Sequence, residues 1–539
     1  MSDELKHECA VAMVDLRKPP SATWDFGGTK LSLLLEKQHN RGQDGAGAAI
    51  LSAKPALGSP PFQIFKSASS TPLADILGMI GRREAVPARI FLGHLRYATF
   101  GKNDLAFCHP FVHESSELAH TLLLAGNFNL TNAETLFVDY SRHGSFPTSK
   151  ADGYLVTELV ARELERGADI AAALRTALKN ADGAWTLCGA TGDGWAFATR
   201  DPHGIRPGFC YASDEVVAVS SERPAIQAAF NVSPEDVKDI PPGGTLVVSP
   251  DGDVRTIESF SSIKTTPRPC SFERIYFSRA NDRDIHRERK ALGAELLPGI
   301  LKAAETPLES IFFSYIPNSA RIAFHGLLER LFEEHGKIRF GEIAVKDAKF
   351  RTFIADAAAR REFYKHVYDV TYGLVGTDDT LVVLDDSIVR GNTMKNAILP
   401  MLDRLGPRRI VIASSAPPVR YPDCYGIDMS TLGELVAFRA LVNLLGPEAE
   451  SELKRNPPAS LYARFSDAQH CDEIARLLTP PGMKAEVKVV YQTVDALHRA
   501  CPGSSGDWYF TGDYPTPGGY MVLNTALQHY LENNDERSY

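Results

Sequence analysis

The sequence predicts two domains of different class: an α+β unit over residues 9–262 and an α/β unit with a parallel sheet over 270–455, followed by an extension, 456–539, packed on the second. Three observations lead there. Strand and hairpin patterns dominate the first half, strand and helix alternate from about residue 285, and between them Ser261 to Pro269 is polar and twice interrupted by proline, as an interdomain linker should be.

In the first half, helical periodicity is confined to 29–39 and 152–166. Hairpins are expected at Ala184–Arg200, turning on Gly192-Asp193-Gly194, and at 244–257, turning on Pro250-Asp251-Gly252. The second half reads helix 285–304, strand 311–316, helix 320–335, strand 380–385, helix 393–406, strand 409–414 and helix 430–445. Pro400 falls inside 393–406 and should kink or break it. The last 80 residues are less regular: an aromatic-rich connection, Asp507 to Pro517, precedes a final helix.

Composition narrows the function classes. The chain of 539 residues has a net charge of −9 and offers no basic footprint for nucleic acid. No run of eighteen apolar residues occurs, and Met1 to Glu8 is polar, so no membrane association and a cytoplasmic location are expected. The eight cysteines are scattered singly, with no CxxC pair, which suits neither a disulfide framework nor a zinc ribbon.

The most informative segment is 381–393. An apolar strand carries Asp385 and Asp386 to its solvated carboxyl end. The loop Ser387, Ile388, Val389, Arg390, Gly391, Asn392, Thr393 then leads into a helix and can aim N–H groups and hydroxyls at a phosphate. Two acids would repel that phosphate unless they bind sugar hydroxyls or share a divalent cation, so a phosphorylated sugar is the implied ligand. No Walker lysine follows the glycine. The segment resembles the signature of the phosphoribosyltransferases.

Four segments of the first half place small residues and donors at strand ends: His7 to Ala10, Gln38 to Gly47, Gly93 to Thr99 and Ala125 to Asn132. Singly, their polar residues suit turns or surface ion pairs; their order and spacing resemble the class II glutamine amidotransferases, which are N-terminal-nucleophile hydrolases. The resemblance implies that residues 1–8 are removed and that Cys9 is the nucleophile, with its own α-amine as base. It implies oxyanion donors in the Asn127 side chain and the Phe128 main chain, and glutamine contacts from Arg41, Arg96, Tyr97, Thr99 and Asp152.

Together the two halves resemble the glutamine phosphoribosylpyrophosphate amidotransferase family, and further matching segments are Arg200 to Pro207, Cys270 to Phe277, Arg351 to Ile354 and Tyr421 to Met429. That resemblance implies hydrolysis of glutamine and transfer of the ammonia to carbon 1 of phosphoribosyl pyrophosphate, the first step of purine synthesis de novo. It further implies Lys346 and residues 385–393 as the phosphoribosyl pyrophosphate site, Mg²⁺ held by Ser319, Asp385 and Asp386, and a homo-oligomer. A homologue acting on another acceptor, or using phosphoribosyl pyrophosphate only as a regulator, is the alternative.

Departures from the family pattern are specific. Ala10 follows the nucleophile where glycine is usual, Gly126-Asn127-Phe128-Asn129 replaces His-Asn-Gly-Asn, and Pro317-Asn318-Ser319 lacks the usual acid. Residues 355–361 read as helix where a flexible flap is usual. Phe128 should have a backbone conformation open to any residue. Some members carry an iron–sulfur cluster on four cysteines; here Cys270, Asp423, Gly506 and Tyr509 occupy those positions, so no cluster is expected, and Cys424 and Cys501 are bystanders.

Overall fold

The computed structural model describes residues 8–17, 23–53, 60–82, 87–98, 104–142, 144, 146–257, 265–317, 319–346, 368–534 and 536–538. In the first half, two antiparallel sheets lie face to face. One runs in strand order Lys238–Asp239, Phe209–Ala212, Val216–Ser220, Ala10–Leu16, Ala88–Arg96, Gly45–Ser52, Phe62–Ser67; the other runs Val254–Ile257, Thr245–Val248, Ala196–Arg200, Gly183–Thr191, Leu122–Leu130, Phe111–His113.

Alternation of side chains along each strand builds both layers of core. Val11 and Met13 face Leu123, Ala125, Cys188 and Ala190 across the sandwich. Ala12 and Val14 turn outward to Leu31, Leu34 and Leu35 of helix Thr23–Lys37. Leu122 and Leu124 turn outward to Leu155, Val156 and Val160 of helix Asp152–Glu165. Each such buried aliphatic side chain stabilises the fold by about 1.5–3 kcal/mol, so both sheets are stiff supports for whatever their ends carry.

The second half is a five-stranded parallel sheet in the order Arg339–Phe340, Ile311–Tyr315, Thr380–Asp385, Arg409–Ser414, Glu486–Tyr491. Leu381, Val383, Ile410 and Ile412 pack on one face, and Val382, Leu384, Val411 and Ala413 on the other, which is why both strands read as unbroken apolar runs.

The elements differ from expectation where proline or charge intervenes. Helix 285–304 is two helices, Arg283–Glu295 and Leu297–Ala304, with Pro298 in the first turn of the second. The helix after the phosphate loop opens as a π turn, Met394–Ile398, and becomes α only at Leu399–Asp403, so Pro400 stands in a first turn where no N–H is required. Strand Glu486–Tyr491 comes from the segment assigned to the extension. Its alternating charges Glu486 and Lys488 suit an edge position and mask the apolar pattern in the sequence. The parallel sheet therefore extends past residue 455.

Nor does the extension pack on the second domain alone. Asp182, from the first domain, receives Thr516 Oγ1 at 2.5 Å and the Gly518 N–H at 2.9 Å. Ala184 and Ile205 share one apolar cluster with Phe272, Tyr421, Tyr425, Trp508 and Tyr509, so the two halves are joined through a common core. Among the described residues, no helix is long and apolar enough to cross a membrane.

Candidate active sites

Cys9 stands where the chain enters the central strand Ala10–Leu16. Its Sγ accepts from the Tyr97 main-chain N–H at 3.3 Å and lies 3.7 Å from the Tyr97 carbonyl oxygen. Burial pushes the thiol up to about 11, against the opposing pull of the Tyr97 main chain and Arg96.

Two strand ends, a helix start and the interior of strand Leu122–Leu130 bring the expected partners to one cavity of about 960 Å³. Its lining includes Cys9, Arg96, Tyr97, Asn127, Phe128 and Asp152. Arg96 closes strand Ala88–Arg96, and Asp152 opens helix Asp152–Glu165. Burial raises the Asp152 carboxyl to about 6, although its Oδ1 accepts the Gly153 N–H at 2.8 Å. The Asn127 side chain is 4% exposed, and its Nδ2 has no protein partner, so a buried donor waits in the cavity that holds the thiol. Phe128 is not among the residues with positive φ and lies in strand Leu122–Leu130, an unstrained backbone for any residue type.

Beneath strand Leu122–Leu130 lies a histidine pair that the motifs did not single out. His94 and His109 stack with ring centroids 4.0 Å apart. His94 Nε2 donates to the Gly126 carbonyl at 3.0 Å, and the Gly126 N–H donates to His109 Nδ1 at 3.3 Å. Burial pushes His94 down to about 3 and His109 well below its usual value, so both rings are neutral at pH 7 and act as a clamp on the residue before Asn127.

Arg41 is elsewhere. Its guanidinium is fully buried, bonded by Glu222 at 2.8 Å, Glu273 at 2.6 Å and Glu8 at 3.4 Å, and it does not line the cavity. Glu222 and Glu273, which remain when Glu8 is lost, engage its Nε, Nη1 and Nη2 and hold it away from the cavity. It ties the first domain to the second instead. Thr99 lies outside the described residues.

At the second site, strand Thr380–Asp385 ends as expected beneath a loop whose Gly391 has φ +81, and a Cβ there would meet Leu478 at 2.3 Å. Ile388 and Val389 are buried among apolar residues, so only their main chains are presentable to a ligand. Arg390 is 8% exposed, its Nε donating to Glu434 at 2.7 Å. The carboxyl end is not solvated at Asp386, which is 7% exposed and bonded by Ser319 and by Ser387 at 3.0 Å. Burial raises its pKa, with Arg289 opposing. Lys346 ends the short strand Ala344–Lys346, and its side chain, like residues 347–367, lies outside the described set.

No protein-family model matches the chain. Curated relatives do. It is 29% identical over 428 residues to the amidophosphoribosyltransferase of Methanocaldococcus jannaschii, covering 75% of this chain and 83% of that one. To the Staphylococcus epidermidis amidophosphoribosyltransferase it is 27% identical over 544 residues, covering 99% and 96%. This chain is a relative of the amidophosphoribosyltransferases. Among solved structures, the B. subtilis glutamine phosphoribosylpyrophosphate amidotransferase complexed with ADP and GMP shares its fold, with TM-score 0.70 and 23% identity over 94% of this chain and 97% of that one. A structure described as the allosteric regulatory enzyme of purine biosynthesis aligns equally well, with TM-score 0.70 and 24% identity.

The iron–sulfur cluster of some amidophosphoribosyltransferases does not fit here. Cys270 is the one thiol at the four positions. Tyr509 donates its hydroxyl to the Gly506 carbonyl at 2.9 Å and accepts the Phe272 N–H at 2.7 Å, with Cys270 Sγ 3.4 Å away. Asp423 accepts from Trp508 Nε1 at 2.8 Å and from the N–H groups of Tyr425 and Ile427 at 2.9 and 2.7 Å. A hydrogen-bonded aromatic plug occupies these positions. Among the described residues, no three His, Cys, Asp or Glu side chains gather as a metal centre.

Proposed function

We propose that this protein hydrolyses glutamine at Cys9 and delivers the ammonia to carbon 1 of phosphoribosyl pyrophosphate, yielding 5-phosphoribosylamine, glutamate and pyrophosphate. Its relatives' shared name supports this over at least three-quarters of the chain. The observation that carries it is the unpartnered Asn127 amide in the Cys9 cavity, in a molecule whose other half ends a parallel strand at Asp385 and a phosphate loop.

In this reading Arg96 and Asp152 hold the α-carboxylate and α-ammonium of glutamine, which fixes the side-chain amide against Sγ. The Cys9 amine, freed by loss of residues 1–8, takes the thiol proton as sulfur bonds to the amide carbon. Asn127 and the Phe128 N–H stabilise the oxyanion; one such donor typically contributes ~2.7–4 kcal/mol. Collapse breaks the C–N bond, the amine returns its proton to nitrogen, and ammonia leaves. Water then cleaves the thioester to glutamate.

At the second site ammonia forms a bond to carbon 1 as the bond to pyrophosphate breaks, and the amine sheds a proton. Asp385, Asp386 and Ser319 offer hard oxygen donors that suit Mg²⁺ shared with substrate phosphates, and such an ion would offset the leaving group's charge. The reading carries with it a cytoplasmic, homo-oligomeric enzyme acting on two small molecules.

Calorimetry tests it. The Asp385→Asn/Asp386→Asn variant, checked as folded by circular dichroism, is expected to lose Mg²⁺-dependent binding of phosphoribosyl pyrophosphate. Tight binding by that variant would remove the assignment from this loop.

A further inference from the structure

The strand that carries Asn127 is only half covered. On one side Leu122–Leu130 pairs residue by residue with Gly183–Thr191; on the other, Phe111–His113 reaches only Leu122 to Leu124. Opposite Phe128, Trp185 gives both its main-chain groups to Asp201, so the Phe128 N–H points away from Gly183–Thr191, to the uncovered edge. The Gly126 N–H, two residues earlier, points the same way. It does not stay open, because His109 Nδ1 accepts it at 3.3 Å while His94 Nε2 donates to the Gly126 carbonyl at 3.0 Å. Two imidazoles thus take over where Phe111–His113 stops and leave Phe128 as the next edge donor, in the cavity that holds Cys9.

The space around Gly126 explains why the imidazoles come from other segments. Residues 126 and 128 share one face of the strand, and a Cβ at Gly126 would lie 2.6 Å from the Phe128 ring and 2.4 Å from Leu187 Cδ2. The bulk of Phe128 therefore excludes a side chain at 126. His109 is in turn confined. Its ring centroid lies 4.0 Å from that of His94 in a stack and 4.8 and 5.8 Å from those of Phe111 and Phe128 edge-on, and a Cβ at Gly153 would come within 3.1 Å of its Cε1. A ring held on four sides gives the Gly126 N–H a fixed acceptor.

Resting on the glutamine hydrolysis proposed above, we propose that His109 is the positioning residue for both oxyanion donors, the Asn127 amide and the Phe128 N–H. Its Nδ1 anchors the peptide unit immediately before them. The lone pair that accepts from Gly126 requires the Nε2–H tautomer, which a neutral ring supplies. The bond ends on main chain and not on sulfur or substrate. Its effect should therefore appear in kcat, where charge develops on the substrate oxygen, and not in KM, where Arg96 and Asp152 capture glutamine.

Glutamate release from glutamine, measured on the whole processed protein, tests this. His109→Phe keeps a flat ring against His94 but removes the acceptor. It should lower kcat by about ten- to a hundredfold, less than the loss of a whole donor, and leave KM within about threefold. His109→Gln returns an acceptor oxygen and should recover most of that loss. In an Asn127→Ala background the same His109→Phe change should cost under about fivefold, because one of the donors it positions is already gone. An unchanged kcat in His109→Phe, or in His109→Leu should the phenylalanine variant not fold by circular dichroism, overturns the proposal. So does a loss confined to KM, and so do losses that multiply in full in the double variant. A different failure, no glutamate release by the unsubstituted processed protein, overturns the glutaminase reading and takes this inference with it.

Discussion

The main-chain N–H of Gly42 donates to the carbonyl oxygen of Glu8 at 2.9 Å, polarising the peptide bond that must break if Cys9 is to gain a free amine. Glu8 itself is anchored, its buried carboxylate bonded by Arg206 and paired with Arg41. The Glu8–Cys9 peptide bond is thus held by contacts on both of its sides. The intact mass of active enzyme should lack residues 1–8. Gly42→Ala, whose Cβ at φ +33 would lie 2.4 Å from the Leu95 carbonyl carbon, should displace the donor and slow release of the leader by at least about tenfold. Full activity from a chain that keeps Glu8 contradicts this.

With the leader attached, the Cys9 thiol sits at about 11, so roughly one thiol in ten thousand is ionised at neutral pH. Iodoacetamide at pH 7 should label the unprocessed form far more slowly than the processed form, where an amine stands beside the sulfur. Peptide mapping reads both rates. Equal rates would show that the amine does not activate the thiol.

Glutamine capture should depend on pH through Asp152. Its carboxyl, raised by burial to about 6, is charged above that pH and neutral below it. Only the charged form attracts the substrate ammonium. The kcat/KM for glutamine should therefore fall about tenfold per pH unit below 6 and level off above it. Asp152→Asn should lose that limb as well as most of its affinity, and a limb that persists in the variant belongs to another group.

Arg41 carries a stability prediction in place of a binding one. Arg41→Ala leaves Glu222 and Glu273 buried without their cation, a loss of about 3–5 kcal/mol. Because Glu273 lies in the second domain, chemical denaturation should show the two domains separating into distinct transitions. A single unshifted transition would mean that the ion cluster does not join them.

The legible parts of this molecule were those where one residue type has one physical reading. Apolar runs such as Thr380–Asp385 and Arg409–Ser414 gave their strands to the residue or nearly so, since a parallel strand buried on both faces tolerates little else. Cys9, Arg96, Tyr97, Asn127, Phe128 and Asp152 were named from their motifs and meet in one cavity. Arg41 stands apart from that cavity, and an arginine in a motif looks the same whether it faces a substrate or buried carboxylates; only the tertiary placement of Glu222 and Glu273 separates the two. His109 carries no signal in the sequence because it acts through a partner distant in sequence, Gly126, which no local spacing records. Strand Glu486–Tyr491 was missed because its edge position allows charges that mask the apolar pattern.

In the proposed reaction two chemically separate sites share one chain, and the Cys9→Ser variant separates them. Pyrophosphate release from phosphoribosyl pyrophosphate should be measured once with glutamine and once with concentrated ammonia. The account predicts that the variant loses the glutamine-dependent reaction, by more than about a thousandfold, while keeping the ammonia-dependent one near that of the unsubstituted enzyme. Loss of both reactions in a variant with an unchanged circular dichroism spectrum, or retention of the glutamine-dependent reaction, would contradict it.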